Sequence, residues 1–297
     1  MIFLGLFIGP TSIFPLGAKI SQIILWQIRF PRVILGLLVG LMLATSGTIL
    51  QGILRNPLAD PYILGVSAGA GVGAAIAVVS GLWSPVSGLF AFLGALLAVF
   101  IVYRIAYVGG KTSPETLILS GVAVSAFAAA LLSLIIILSG QLQSIYFWLL
   151  GGLSSATWDS VLSVIPYAVV GLIIVSFFSR DLNILLLGEE SALSLGIEVE
   201  WVRKLLLAVA SLMTAAAVSV SGLIGFVGLI VPHFVRLIVG PNHKILLPVS
   251  AISGAILLIA CDILARMVLA PTEIPIGIIT GMLGSPFFLY LLRRRRK

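Results

Sequence analysis

Long apolar stretches broken by short polar punctuation set the pattern of this chain. Runs free of charged residues occupy 33–54, 61–103, 116–158, 160–179, 205–235, 245–261 and 274–292. A helix that crosses a bilayer needs about 20 mostly apolar residues. The run 61–103 is far longer than that and is interrupted at Ser80-Gly81-Leu82-Trp83-Ser84-Pro85, so it divides into two spans. Residues 205–239 divide near Ser221-Gly222-Leu223-Ile224-Gly225 into two short ones. Nine full spans are therefore predicted: 33–54, 62–80, 86–108, 115–138, 159–179, 204–221, 224–239, 245–268 and 274–292. The segment 139–158, "SGQLQSIYFWLLGGLSSATW", carries Trp and Tyr and reads as a short helix lying at the membrane interface. Residues 1–8 are apolar but too short to cross, lack the basic start of a signal peptide, and read as the tail end of a further helix.

Composition agrees with that pattern. Of the 297 residues 60% are hydrophobic and 9% charged, with a mean hydropathy of +1.25. A soluble domain carries roughly 25% charged residues, so most of this chain must face lipid or other embedded helices. The expected fold class is all-α, a polytopic integral membrane protein forming one domain over 1–297. The single cysteine, Cys261, excludes an intrachain disulfide framework, and no Cys/His cluster has metal-ligand spacing. No metal or cofactor is expected in this chain.

The net charge of +7 could point to nucleic acid, but Lys and Arg also collect in cytoplasmic loops of membrane proteins. With the C-terminus inside and the spans alternating, Arg55, Arg104, Lys111, Arg180, Arg203, Lys204, Arg236, Lys244 and the basic run 293–297 fall inside. Only Lys19, Arg29, Arg32 and Arg266 fall outside. The bias orients the chain with a cytoplasmic C-terminus, whose five basic residues anchor at anionic headgroups. No nucleic-acid partner is expected. The outer arginines need a separate reason.

Three soluble-enzyme motifs fail on context. Gly65-Val66-Ser67-Ala68-Gly69 fits the nucleophile turn G-x-S-x-G, but only His233 and His243 could serve as base and no β/α alternation surrounds Ser67. Gly69, Gly71 and Ala74 fit a dinucleotide turn, yet residues 85–103 hold no acid to bind a ribose. Gly110-Lys111-Thr112 ends like a phosphate loop, but position 105 is isoleucine where glycine is required. The glycines at 65, 69 and 73 instead recur every four residues, along one helix face, which lets helices approach closely in lipid. No catalytic residue is assigned, and the chain is not expected to be an enzyme.

Charged residues in or beside the spans carry what function can be read. Asp262 and Arg266 stand four apart near the outer end of their span, and Glu273 follows in the next turn. No carboxylate lies near the middle of a span, which argues against an ion-coupled secondary carrier, the alternative reading. Half of the chain's ten acids fall in the longest inner connection, 181–200. Within it "LLLGEESALSLGI" is amphipathic, and Glu189 and Glu190 suit a helix N-terminus. A short surface helix with an apolar face implies a partner groove.

The stretches "WQIRFPRVILGLLVG" (26–40), "SGTILQGILRNPLADPYILGVSAGAGVG" (46–73), "LGEESALSLGI" (187–197), "GFVGLIVPHFVRLIVGPNHKILLP" (225–248), "CDILARM" (261–267) and "EIPIGIITGMLGSPFF" (273–288) resemble the FecCD family. These are permease subunits of ABC importers for iron-siderophores, haem and cobalamin, and the cobalamin members are the most similar. The resemblance implies ten helices per subunit, with the first largely missing here. It implies a homodimer, or a pair with a paralogous permease, around one translocation path in the cell (inner) membrane. Helices two to five and seven to ten would be related by an inverted repeat. Two ATPase subunits, which bind the ATP and Mg, would sit on the cytoplasmic face. A periplasmic or lipid-anchored substrate-binding protein would dock outside. In the family, outer arginines engage glutamates of the binding protein, which implies Arg29, Arg32 and Arg266 for docking. The ATPase coupling segment maps onto 181–200, with Gly188, Glu189, Ala192, Leu195 and Gly196 as the expected contacts. Import would proceed by alternating access driven by the partner ATPases, with the cargo open among cobalamin, haem and ferric siderophores.

Overall fold

The computed structural model describes residues 1–9, 19–82 and 86–294, without the side chains of 290–292 and 294. Residues 83–85 of the expected break and 295–297 of the basic terminus lie outside the described residues. A short helix α1 (Ile2–Phe7) precedes α2 (Lys19–Ile23), a π-helical turn (Ile24–Arg29) and α3 (Phe30–Ile53). From Ile20 to Ile53 the helical path is continuous over 34 residues. After a 3-10 turn (Pro61–Leu64) come α4 (Val66–Val79), α5 (Val86–Ala106), a two-stranded hairpin β1 (Tyr107–Val108) and β2 (Lys111–Thr112), and α6 (Pro114–Ser139). Next are α7 (Leu142–Leu149), α8 (Trp158–Phe177), α9 (Ser179–Leu185) and α10 (Glu189–Ser194). The chain ends in α11 (Val199–Ser221), α12 (Val227–Val239), α13 (His243–Met267) and α14 (Ile276–Arg294).

The nine expected spans correspond in order to α3, α4, α5, α6, α8, α11, α12, α13 and α14. Among the described residues six helices are long and apolar enough to cross a membrane, and α4, α12 and the Ile276–Leu289 part of α14 are shorter apolar helices. The expected interfacial segment supplies α7, and the connection 181–200 supplies α9 and α10. The loop at 109–110 is a tight hairpin turn, with Gly109 and Gly110 both at positive φ.

Local chemistry sets the ends. Ser113 and Thr116 form a reciprocal capping box at the start of α6, and Thr157 and Asn242 cap α8 and α13. Gly140 in the left-handed region ends α6. Phe226 enters α12 at φ +67, unusual for a bulky residue. Its ring lies over Gly284 of α14, where any Cβ would collide with it.

The core is built around α3. Leu35, Val39, Met42 and Ile49 of this helix are fully buried. Two glycines bring neighbouring backbones against it: a Cβ at Gly40 would strike the Gly254 carbonyl of α13, and one at Gly47 the Gly228 carbonyl of α12. Close backbone approach through small residues is the main packing attraction in lipid, where burial of apolar surface gives little. At the periphery the apolar side chains point outward instead. Phe127, Ile137 and Leu138 of α6 are more than 70% exposed, a surface suited to lipid or to further protein.

The glycine stripe divides into two roles. Gly69 and Gly73 face α5, where added Cβ atoms would collide with the carbonyl oxygens of Gly94 and Phe90. Gly65 does not share that contact. It has φ +80 at the junction of the 3-10 turn and α4, and a Cβ there would meet neighbours only at ordinary distances of 3.5 Å and beyond. Its requirement is conformational, because L-residues avoid the left-handed region.

Candidate functional site

Charged side chains gather at two opposite ends of the bundle. At the first, α9 leads through Leu186, Leu187 and Gly188 to the six-residue α10. Gly188 (φ +116) and Gly196 (φ +78) flank this helix in backbone conformations that favour glycine, and so fix how the chain enters and leaves it. Ala192 is fully buried against the bundle, whereas Leu187, Leu193 and Leu195 are each more than half exposed. Of the expected coupling contacts, then, Leu195 and Gly196 lie on the surface and Ala192 points inward. Ala192 faces inward because α10 has a single inward-facing side and packs it on its neighbours.

Glu189 also turns partly inward, toward Arg203 of α11. The Arg203 side chain is only 3% exposed and donates to Glu189 Oε1, to the Thr112 carbonyl and to Glu200 Oε2, the last at 3.3 Å. Glu200 is held in turn: its Oε1 accepts from the Thr112 hydroxyl at 2.8 Å and its Oε2 from the Thr112 amide at 3.1 Å. Arg55, just past α3, stands 3.9 Å from Glu189 Oε1. One buried guanidinium thus ties α10, the start of α11 and the β1–β2 hairpin together. Sequence reasoning missed this joint. The spacing of Glu200 and Arg203 was a visible hint, but Thr112 lies about 90 positions away in sequence.

At the opposite end lie Arg29, Arg32 and Arg266, which the fold does bring together. Arg32 donates through Nε to Asp262 at 2.8 Å and through one terminal nitrogen to both Glu273 oxygens at 2.9 and 3.0 Å. Arg266 reaches the other Asp262 oxygen at 3.0 Å, so that carboxylate is shared by two guanidiniums. Arg266 also donates to the carbonyls of Gly5 and Ile8, and Arg29 to those of Leu6 and Phe7. These are the carbonyls that the end of α1 leaves unpaired, and cations suit the negative end of a helix. All three arginines are at most 7% exposed and engaged within the chain. The more accessible group is Glu273, whose side chain is 33% exposed.

Beside the Arg32–Glu273 pair opens a cavity of about 330 Å³. Trp148, Ser154 and Ser155 line one wall, and Val220, Ser221 and Gly222 at the end of α11 line another. Among the described residues no group of three His, Cys, Asp or Glu is arranged to hold a metal ion.

Comparison with known proteins places this architecture. The model of the FecCD transport family matches residues 1–294. The chain is 51% identical over 282 residues to the cobalamin import system permease protein BtuC of Halobacterium salinarum, covering 93% of this chain and 74% of that one. It is 42% identical to the Fe(3+)-citrate import system permease protein YfmD of Bacillus subtilis, covering 94% and 84% of the two chains. A solved inward-facing ABC transporter of the metal-chelate type superposes with a TM-score of 0.91 at 34% identity, covering 99% of this chain and 95% of the other. With its ordered series of membrane helices and a family match over nearly its whole length, this chain belongs to the FecCD transport family, as a multi-pass permease subunit of an ABC importer.

Proposed function

We propose that the chain forms the translocation path of a binding-protein-dependent importer for a metal-chelate cargo of the cobalamin, haem or ferric-siderophore class. Two copies surround one path in the cell membrane, with the C-terminus cytoplasmic. Two ATP-binding subunits, which hold ATP and Mg, dock on the α10 end, and a substrate-binding protein docks on the arginine end. ATP binding and hydrolysis in those partners switch the path between the two faces, and this chain performs no covalent chemistry. The observation that carries the reading is the short α10 helix beyond the bundle, with Leu187, Leu193 and Leu195 turned outward beside Glu190. Apolar side chains on a surface helix suit a groove on a partner.

Co-expression with its ATP-binding partner and reconstitution into proteoliposomes should give ATP-dependent uptake of one member of a panel of cobalamin, haem and ferric chelates. Replacing Leu193 and Leu195 together by Asp should abolish co-purification of the partner, because charge would enter an apolar contact. Uptake that persists without the ATPase and collapses with an ion gradient would instead establish a secondary carrier.

A further inference from the structure

The Arg203 joint has a consequence that deepens the reading above and rests on it. Helix α10 is six residues long and buries only Ala192 among its own residues. A helix so short is not stable alone and takes its position from what holds it. Here the helix packs on α9 with Ala192 turned inward, and the polar hold that ties it to α11 and the hairpin is the bridge from Glu189 to Arg203. Arg203 sits in the second turn of α11, and the same guanidinium carries the carbonyl of Thr112 at the end of the hairpin between α5 and α6. Glu200, one turn earlier on α11, closes the triangle by accepting from both the amide and hydroxyl of Thr112. Two consecutive helices and a hairpin about 90 positions earlier in the chain meet at one buried cation.

Helix α11 continues without interruption for 23 residues to Ser221, about 34 Å at the usual rise of a helix. Its far end, Val220 and Ser221 with Gly222, forms a wall of the cavity beside Arg32 and Glu273. A displacement of α10 that is held by Arg203 therefore reaches both the hairpin and, through a rigid rod, the opposite end of the bundle. Without the bridge, α10 could move while α11 stayed still. We propose that Arg203 is the positioning residue that makes α10, the β1–β2 hairpin and α11 move as one block, and so converts ATPase motion into motion of the path.

The planar fork of Arg is needed because one side chain must reach three acceptors in different directions, whereas a lysine offers a single flexible ammonium. In the full transporter with its ATPase subunits and binding protein, Arg203→Gln should leave ATP hydrolysis running while transport falls by at least about tenfold, the scale of a typical coupling between sites. Arg203→Lys should fall between the two. Spin labels at the exposed Val108 and at Ser194, an exposed residue of α10 outside the leucines placed against the ATPase, report the joint directly. Their separation should be the same in the nucleotide-free and ATP-bound wild type, and should change or broaden between those states in Arg203→Gln. Should Arg203→Gln fail to assemble, Glu189→Ala removes the same bridge from its half-exposed side and is read in its place. Normal transport per ATP, together with a label separation that stays constant in the variant, would overturn the assignment of Arg203 and leave the importer reading intact. Failure of the wild-type chain to bind an ATPase at all would overturn the importer reading itself.

Discussion

At the scale of single residues, the turn between α3 and α4 is the place where chemistry and burial pull against each other. The Asp60 carboxylate accepts from the Tyr62 amide at 2.8 Å and caps the 3-10 turn. Burial nevertheless pushes its carboxyl up to about 6, from an ordinary 3.8. Because the folded value lies above the unfolded one, the group's contribution to stability is complete below about pH 4 and is lost as pH rises through about 6. Asp60→Asn keeps the capping oxygen and removes the charge. It should raise stability near pH 8 by on the order of 1 kcal/mol, discounted for the side chain's residual exposure, and change little near pH 4. Thermal unfolding in detergent at the two pH values decides this, and an equal effect at both would reject it. The sequence exposed Asp60 as one of few acids, between two prolines, but burial of its carboxyl depends on packing from elsewhere in the chain. Arg32 makes the same point. Its motif was legible, whereas its two acidic partners lie more than 200 positions away.

At the scale of elements, the glycine stripe separates close approach from backbone conformation. Gly73→Ala would push a methyl group into the Phe90 carbonyl and force α4 and α5 apart, at a cost of about 1–3 kcal/mol. Gly65→Ala meets no close neighbour and should cost about 1–2 kcal/mol through its φ alone. Asparagine tolerates the left-handed region, so Gly65→Asn should recover part of that loss while Gly73→Asn should not. A thermal-melt series of the four variants tests the distinction. The same rescue at both sites would mean that a single mechanism acts along the stripe. Spacing located these glycines but could not separate them, since recurrence every four residues does not reveal that the first lies before the helix begins.

At the scale of the whole molecule, the arginine end is first of all an internal clamp. Asp262 holds Arg32 and Arg266, and Glu273 completes the coordination of Arg32. Reversing the arginines to glutamate would leave buried charges unpaired, at about 3–5 kcal/mol for each broken pair, and would disturb the fold along with any docking. Glu273 gives the cleaner test of the proposed docking, because it is the more accessible partner of Arg32 and would compete with an incoming glutamate for that guanidinium. Glu273→Gln should therefore tighten binding-protein association several-fold, read by titration of the purified partner onto the reconstituted permease. An affinity left unchanged or weakened would sink docking by carboxylate exchange.

What the sequence determined by itself was the class of molecule and the order of its spans. Both follow from local quantities: the length of an apolar run against the thickness of a bilayer, the punctuation between runs, and the side on which Lys and Arg collect. It also carried the family, because long motifs keep their order along the chain. The tertiary structure decided which charges meet. Arg203 with Thr112, and Arg32 with Asp262 and Glu273, depend on elements that close the bundle from far apart in sequence. A buried ion pair is stable only where both partners lose water together, and that place exists only once the helices are packed.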